Sequence, residues 1–290
     1  MKIRLTAAKW TTGTVLGAVL AALLAACGNG TSSQPASTST STSVTTSTSA
    51  QETAVSLYFM RADTLGVADR QVPVTSTPEV AAMKALLGGP NATERAAGLA
   101  TNIPTGTVLL GLSINNGVAL ANMNKTFESG GGSLSMMSRL AQVVYTLTQF
   151  GTVHNVTFQL DGTTVTTFGG EGLILTNPLG RLDGTLTSVL PNILLETPAV
   201  GDRVHSPLHV SGISNTFEAT YNVELIDSTG KVVLSTYGTA SAGTGTWGTF
   251  DASFPYKTTA SGIGQLKVYS VSAKDGSHIN EVDLSLPVDP

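Results

Sequence analysis

Four histidines are the first residues to consider as metal ligands or acid–base catalysts. His205 and His209 are four positions apart, a spacing that places two side chains on one face of a helix. Pro207 lies between them, however, and the alternation of apolar and polar residues around them predicts an extended chain. His154 and His278 are isolated, and no His-Glu-x-x-His motif is present. We therefore expect histidines in turns or on strand surfaces, and no metal site.

Two glycine patterns are similar to phosphate-binding loops. Gly243, Gly245 and Gly248 fit Gly-x-Gly-x-x-Gly, which needs a strand before it and a helix after it. Trp247 and the alternation that follows it predict a strand instead. The glycine run at 130–132 precedes a predicted helix, whose first amides can bind an anion, although a flexible loop is the more common outcome of such a run. Neither pattern predicts a cofactor.

Carboxylates and hydroxyl groups show no catalytic arrangement in the sequence. Four aspartates stand beside or close to glycines, where Asp favours turn geometry: Asp161, Asp183 and Asp275 directly before one, and Asp227 three positions before Gly230. No serine lies in a Gly-x-Ser-x-Gly elbow. Arg181 either ties a domain junction to a carboxylate or lies on the surface, and Glu196 either faces a partner or is solvated. We predict no catalytic residue and no enzymatic activity.

Cys27 is the only cysteine in the chain, so it cannot form an internal disulfide. The first ten residues carry Lys2, Arg4 and Lys9, and a short apolar stretch follows up to residue 26. This arrangement predicts a secretory signal peptide at 1–26. The segment Leu-Ala-Ala-Cys ending at Cys27 resembles the bacterial lipobox, which implies cleavage before Cys27 and lipidation of its thiol. The alternative is an ordinary signal peptide with a chance cysteine.

The segment after the cysteine has the composition of a linker. Residues 27–53 are nearly all Ser, Thr, Ala, Gln and Gly and contain no aromatic residue, so they predict a disordered stalk. The whole chain has a net charge of −4, and removal of the three basic leader residues makes it more negative. With no basic cluster left, nucleic-acid binding is not expected. We expect a lipid-anchored protein on the extracytoplasmic face of the cell membrane.

Residues 54–182 predict an α+β domain. Strands are expected at 54–60 and 70–77, the second at a sheet edge because of Pro73, and helices at 78–87 and 133–150. The second helix carries one apolar stripe: Leu134, Met137, Leu140, Val144 and Leu147. Asn116-Gly117 predicts a tight hairpin, and Asp161-Gly162 predicts another turn between strands. A composition change at 180–192 places a domain boundary there.

Residues 192–290 predict an all-β sandwich of the immunoglobulin-like type. Apolar runs recur at short spacing with turn signals between them, which gives about seven strands in roughly 100 residues. The six clearest runs lie at 207–213, 219–227, 231–237, 247–256, 264–273 and 279–288. No cysteine pair is present to bridge the two sheets.

Motifs spread over both predicted domains resemble two known families. In the first domain they are LYF at 57–59, ALLGGP at 85–90, IPTGT at 103–107, VVYTLTQFGTVHNVTFQLDG at 143–162 and PLGR at 178–181. These resemble the GerMN domain of sporulation and spore-germination lipoproteins. In the second domain they are SPLHVSG at 206–212, FEATYNVELIDSTGKVV at 217–233, GTWGTFDASFPY at 245–256 and SAKDGSHINEVDLSLPV at 272–288. These resemble the Gmad2 immunoglobulin-like domain.

The two resemblances imply binding or assembly at the cell envelope, related to sporulation or germination. The expected partners are the membrane, through the lipid on Cys27, and envelope proteins or peptidoglycan. The alternative is a peptidoglycan-binding module or an accessory wall hydrolase, which would need an acid pair or a metal in a cleft.

Overall fold

Residues 51–175 and 178–290 are described by a computed structural model of the chain. The predictions made for the signal peptide, for lipidation of Cys27 and for nearly all of the linker lie outside these residues. Within the described ranges no helix is both long and apolar enough to cross a membrane.

The first half of the described chain mixes strands and short helices. Its elements are β1 (Glu52–Arg61), β2 (Thr64–Pro73), α1 (Pro78–Leu87), α2 (Ala92–Ala96), β3 (Leu99–Ala100), β4 (Leu109–Asn115), β5 (Val118–Met123), a 3-10 helix (Lys125–Glu128), α3 (Ser133–Leu147), β6 (Asn155–Leu160), β7 (Thr163–Thr164), β8 (Thr167–Phe168), β9 (Leu173–Ile174) and α4 (Gly184–Thr187). The strands form sheets in the orders β2-β1-β3, β4-β5-β6-β7 and β8-β9. The α+β prediction is confirmed.

The hairpin predicted at Asn116-Gly117 joins β4 and β5. Both residues have positive φ, 50° and 79°, as a type I′ turn requires. The strand predicted at 70–77 is displaced, because β2 runs from Thr64 to Pro73. The turn before it, at Ala62 and Asp63, contains no glycine or proline, so Asp63 is its one sequence signal. As expected, β2 lies at the edge of its sheet.

Helix α3 is buried on more sides than its apolar stripe predicts. Leu140, Val144 and Leu147 are fully buried, but Leu134 is 44% exposed, so that part of the prediction is wrong. Polar residues of the helix are buried as well, because they form hydrogen bonds with main-chain groups of neighbouring strands and loops. Thr146 Oγ1 accepts a hydrogen bond from Tyr58 N at 3.2 Å, and Gln142 Oε1 accepts one from Asn102 N at 3.2 Å.

The second half is a two-sheet sandwich, as predicted. Its seven strands are β10 (Ile193–Thr197), β11 (Leu208–Ser214), β12 (Thr220–Ile226), β13 (Val232–Thr239), β14 (Gly248–Phe254), β15 (Gly262–Val271) and β16 (His278–Val288). They form antiparallel sheets in the orders β10-β11-β14 and β13-β12-β15-β16. Alternate residues of β12, namely Tyr221, Val223 and Leu225, face the buried interior between the sheets.

The two halves share main-chain hydrogen bonds and form one compact unit over Ser49–Pro290. Leu65 N donates to Val189 O at 2.8 Å, and Asp69 N donates to Val200 O at 2.9 Å. Leu186 and Val189, in the segment between the halves, are completely buried. This connection is therefore packed into the core rather than exposed to solvent.

Candidate functional site

The histidines lie apart from one another, in the extended or turn positions expected for His205 and His209. His209 is on β11, and its Nε2 lies 2.9 Å from the exposed carboxylate of Asp251 on β14. His278 stacks on Tyr269 with ring centroids 3.5 Å apart. Throughout 51–175 and 178–290, no three His, Cys, Asp or Glu side chains come close enough together to hold a metal ion.

The loop at 130–132 binds a carboxylate of its own chain. Ser133, the first residue of α3, donates its backbone N–H to Glu171 Oε2 at 2.9 Å, and its hydroxyl binds the same oxygen. The loop itself is held by Arg139, which is 4% exposed and donates to Gly130 O at 2.7 Å and Ser129 O at 3.0 Å. The helix N-terminus attracts an anion, as its dipole dictates, and an internal side chain occupies it.

The Gly-x-Gly-x-x-Gly pattern has the context of a strand, as expected. Its last glycine, Gly248, is the first residue of β14, and the chain continues as a strand to Phe254. Because no helix follows, the pattern does not form a dinucleotide-binding turn.

A partly buried ion pair joins the two halves of the chain. Arg181 Nη2 donates to Glu196 Oε1 on β10 at 2.6 Å and to the Tyr58 hydroxyl on β1 at 2.6 Å. Tyr58 also donates to Glu196 Oε1. Of the two interpretations of Arg181, the junction contact is the one that the structure bears out. Glu196 likewise faces the junction and is only 19% exposed.

Two tyrosine rings enclose the Arg181 guanidinium. Its carbon lies 4.5 Å from the ring centroid of Tyr145 and 5.3 Å from that of Tyr58, both within cation–π range. The Tyr145 hydroxyl donates to Arg181 O at 2.7 Å, which fixes the main chain as well. Burial, and after it the nearby Glu196 carboxylate, raise the pKa of Tyr58 well above its usual value. Tyr58 therefore stays a neutral donor at any physiological pH.

A second polar contact at the junction brings two carboxyl groups together. Asp69 on β2 lies against the loop that carries Asp202, and its Oδ1 is buried with no hydrogen-bond partner in the described part of the chain. Burial, and then the charge of Asp202, raise the pKa of Asp69 to about 6. Gly201 lets the two chains meet, because its φ is +107° and a Cβ there would lie 2.7 Å from Asp69 O.

The open strand β4 is the feature best suited to contact another protein. It is the edge of the sheet β4-β5-β6-β7, and Leu110 is 52% exposed while Ile114 is 37% exposed. No charged residue occurs from Ala96 to Asn124, and β4 contains no proline. Asn116-Gly117 predicts this hairpin, whereas the exposure of its outer strand depends on what covers the sheet.

Models of two known families match the two parts of the chain. The family model described as sporulation and spore germination, Germane, matches residues 56–166. The model described as an immunoglobulin-like domain of bacterial spore germination, Gmad2, matches residues 192–277. Neither description names an enzymatic activity. No curated protein matches the chain.

Three solved structures are similar to parts of the chain. The tandem GerMN domains of the sporulation protein GerM from Bacillus subtilis are 15% identical, with a TM-score of 0.40, over 70% of this chain and 61% of that one. The first GerMN domain of the same protein is 20% identical, with a TM-score of 0.37, over 45% of this chain and 99% of that one.

A putative lipoprotein from Clostridium perfringens is 22% identical, with a TM-score of 0.33, over 45% of this chain and 88% of that one. The chain thus spans 61% of the length of the tandem-domain structure.

The two matched families occur in the order that the sequence motifs indicate. This chain contains a Germane (GerMN) domain followed by a Gmad2 immunoglobulin-like domain.

Proposed function

We propose that the chain is a non-enzymatic envelope lipoprotein that binds and assembles with other proteins through strand β4. In this proposal a lipid on Cys27 holds it at the extracytoplasmic face of the membrane. The linker at 27–53 raises a GerMN domain at 54–182 and a Gmad2 domain at 192–290 above the surface. The family descriptions, which name sporulation and spore germination, support a role in those processes.

The observation that carries the proposal is the edge of β4, which has no charge and no proline. An edge strand leaves a row of main-chain N–H and C=O groups unpaired, and proteins usually protect it with charges, prolines or bulges. Seven residues long, β4 has one register irregularity near Leu109 but neither charge nor proline. Its exposed leucine and isoleucine add apolar area beside the unpaired groups.

Three of the other long edge strands, β2, β14 and β16, carry charges that β4 lacks. The edge strand β2 contains Asp69 and Arg70 and ends at Pro73, and β14 contains the exposed Asp251. The edge strand β16 contains Glu281 and Asp283. The edge strand β13 is uncharged but begins directly after Lys231. Of these five long edge strands, β4 and β13 contain no charge, and of these two only β4 also lacks a charged residue directly before or after it.

The occupant that fits this edge is an extended strand of a partner envelope protein. Strand addition gains affinity from main-chain hydrogen bonds, and it gains specificity from side chains on alternate positions. Leu112 and Ile114 face the core side of the sheet, opposite Ala121 and Ala119, so an added strand would extend the existing core.

Site-specific photo-crosslinking in cells that produce the full chain tests the proposal. A benzoylphenylalanine at Ser113, on exposed β4, is expected to link to one recurrent extracytoplasmic protein, identified by mass spectrometry. The same group at Val232, which is 48% exposed on β13, is the matched control and is expected to give no such product. Equal products at both positions, or none at Ser113, would contradict assembly through β4.

A further inference from the structure

A cleft in the GerMN domain is lined by residues of two sequence motifs that the proposed function does not use. Residues 87–90 belong to ALLGGP at 85–90, and Ile103, Thr105 and Gly106 belong to IPTGT at 103–107. The cleft has a volume of about 400 Å³, which lies within the range of small-ligand sites. None of its described lining residues belongs to β4 or to the cluster around Arg181. The two motifs therefore meet at a separate cavity.

One accessible cation lies at this cleft. Among the described residues that line it, Arg95 on α2 is the only charged one, and it is exposed. Arg95 Nη1 donates to Pro90 O, whereas Nε and Nη2 form no hydrogen bond, and the guanidinium no ion pair, with the described part of the chain. An arginine that is held at one nitrogen and free at the others can bind a carboxylate through two parallel N–H bonds. The cleft therefore favours an anionic group.

Apolar surface lies at the same cleft. Ala100 is exposed and Leu87 is half-buried, so both of these lining side chains present carbon atoms that a ligand can reach. Leu99 and Ile103 also line the cleft but belong to the buried core. Because apolar and cationic groups share one cavity, the complementary ligand is an apolar group that carries a carboxylate.

Main-chain groups border the cleft as well. Both residues of β3 line it, and β3 is an edge strand in the order β2-β1-β3. An edge strand leaves main-chain N–H and C=O groups on its outer side for an added chain. Gly89 keeps the space beside Thr101 open, since its φ is +73° and a Cβ there would lie 3.7 Å from Thr101 Cγ2. An extended peptide is therefore favoured over a fatty acid, which has no main chain to pair with β3.

We propose that this cleft binds the free C-terminus of an extended polypeptide whose last residue is apolar. The terminal carboxylate pairs with Arg95, and the last side chain packs against Leu87 and Ala100. The main chain of the ligand lies along β3. Capture of a C-terminal carboxylate and pairing with a sheet edge are both established modes of peptide recognition. The cleft lies outside β4, so this proposal does not depend on the function proposed for that strand.

Titration of the full chain with defined peptides, followed by fluorescence polarisation, tests the site. The probes are fluorescein-labelled pentapeptides of glycine and serine that end in valine, leucine or phenylalanine, each as the free acid and as the C-terminal amide. We expect at least one free acid to bind at least about five-fold more tightly than its amide, because the amide lacks the charge that pairs with Arg95. Equal binding of acid and amide, or no binding of any acid at millimolar concentration, would overturn the proposal. Octanoate that binds more tightly than every peptide would also overturn it.

Substitutions at the cleft place the bound peptide. Arg95→Gln is expected to weaken binding of the free acid by about five- to ten-fold and to leave the amide unaffected, whereas a structural role would lower the melting temperature and change both alike. Lys84→Gln, at an exposed lysine outside the cleft, is the matched control.

A second pair of variants blocks the cleft by shape. Ala100→Phe fills it and should abolish peptide binding, while Ala92→Phe, at another exposed alanine that does not line the cleft, should leave binding unchanged. Leu110→Lys should bind the peptides normally, so a failure of the β4 proposal can be told apart from a failure of this one. Peptide binding that Leu110→Lys removes and Ala100→Phe retains would place the ligand on β4 and overturn the proposal.

Discussion

Arg181 Nη2 and Glu196 Oε1 lie 2.6 Å apart and join the segment before α4 to β10, the first strand of the sandwich. The Arg181 guanidinium also lies within cation–π distance of the Tyr58 and Tyr145 rings. Because both charged side chains are mostly buried, with 26% and 19% exposure, neither can simply return to water when the other is lost. The two domains are therefore coupled through this pair.

Replacing Arg181 should weaken that coupling. Arg181→Leu leaves Glu196 partly buried without its cation, and we expect it to lower the free energy of unfolding by about 2–4 kcal/mol. Urea unfolding followed by circular dichroism measures this change. Arg203→Leu is the control, since the ion pair of Arg203 with Asp289 has the arginine 57% exposed and should contribute less than about 1 kcal/mol. Equal effects of the two substitutions would refute the coupling.

The carboxyl group of Asp69 should make stability depend on pH. Its pKa in the folded chain, about 6, is raised first by burial and then by Asp202, whereas an unfolded Asp titrates near 3.9. The folded state therefore binds more protons than the unfolded state between pH 4 and 6. This contribution to the free energy of unfolding falls as pH rises through that window, by at most about 3 kcal/mol.

Asp69→Asn removes this titration and should stabilise the chain above pH 7 while changing little near pH 4. Denaturant unfolding at several pH values would give the difference between the variant and the wild type. Asp63→Asn, at an exposed turn, serves as the control. A difference between Asp69→Asn and the wild type that is constant with pH would show that Asp69 does not titrate in this way.

Arg139 should contribute strongly to the free energy of unfolding, although it lies on a helix that also packs through apolar residues. It is buried without a carboxylate partner in the described chain and donates to Asn102 O, Phe127 O, Ser129 O and Gly130 O. Arg139→Lys keeps the charge but cannot reach these carbonyls with a planar fork, so we expect a loss of about 2–3 kcal/mol in unfolding free energy. Thermal unfolding checks this, and a melting temperature equal to that of the wild type would be inconsistent with the contacts.

Periodicity and turn signals predicted most of the elements, because they report local geometry. Asn116-Gly117 predicted one hairpin, and the six apolar runs correspond to strands β11 to β16, whereas β10 was not located. The sequence marked the turn at Ala62 and Asp63 only by one aspartate, because Ala62 adopts its positive φ without being a glycine. Leu134 follows the helical period but is the second residue of α3 and is 44% exposed.

Candidate site features depended on contacts between distant residues, so the sequence could not supply them. Arg181 and Glu196 are close in the sequence, yet their pairing depends on Tyr58 and Tyr145 from two other elements. Exposure of β4 is likewise a property of the packed sheet, although the absence of charge from Ala96 to Asn124 was visible in the sequence.

Lipidation remains a prediction from the leader sequence. Cys27→Ser removes the thiol that would carry the lipid, so we expect the protein to leave the membrane fraction and to appear in the soluble extracytoplasmic fraction. Fractionation with immunoblotting measures the distribution, and metabolic labelling with an alkyne fatty acid should mark the wild type alone. Unchanged membrane association of the variant would remove the anchor from the account.

Co-purification with the partner protein tests assembly through β4 most directly. Full-length wild type, Leu110→Lys and Val232→Lys are to be isolated from cross-linked envelopes, and the partner identified by photo-crosslinking at Ser113 is quantified in each. A lysine on β4 places a charge at the strand edge, where it opposes the addition of another strand. We therefore expect at least ten-fold less partner with Leu110→Lys and an unchanged amount with Val232→Lys. Retention of the partner by a folded Leu110→Lys variant at the wild-type level would contradict it.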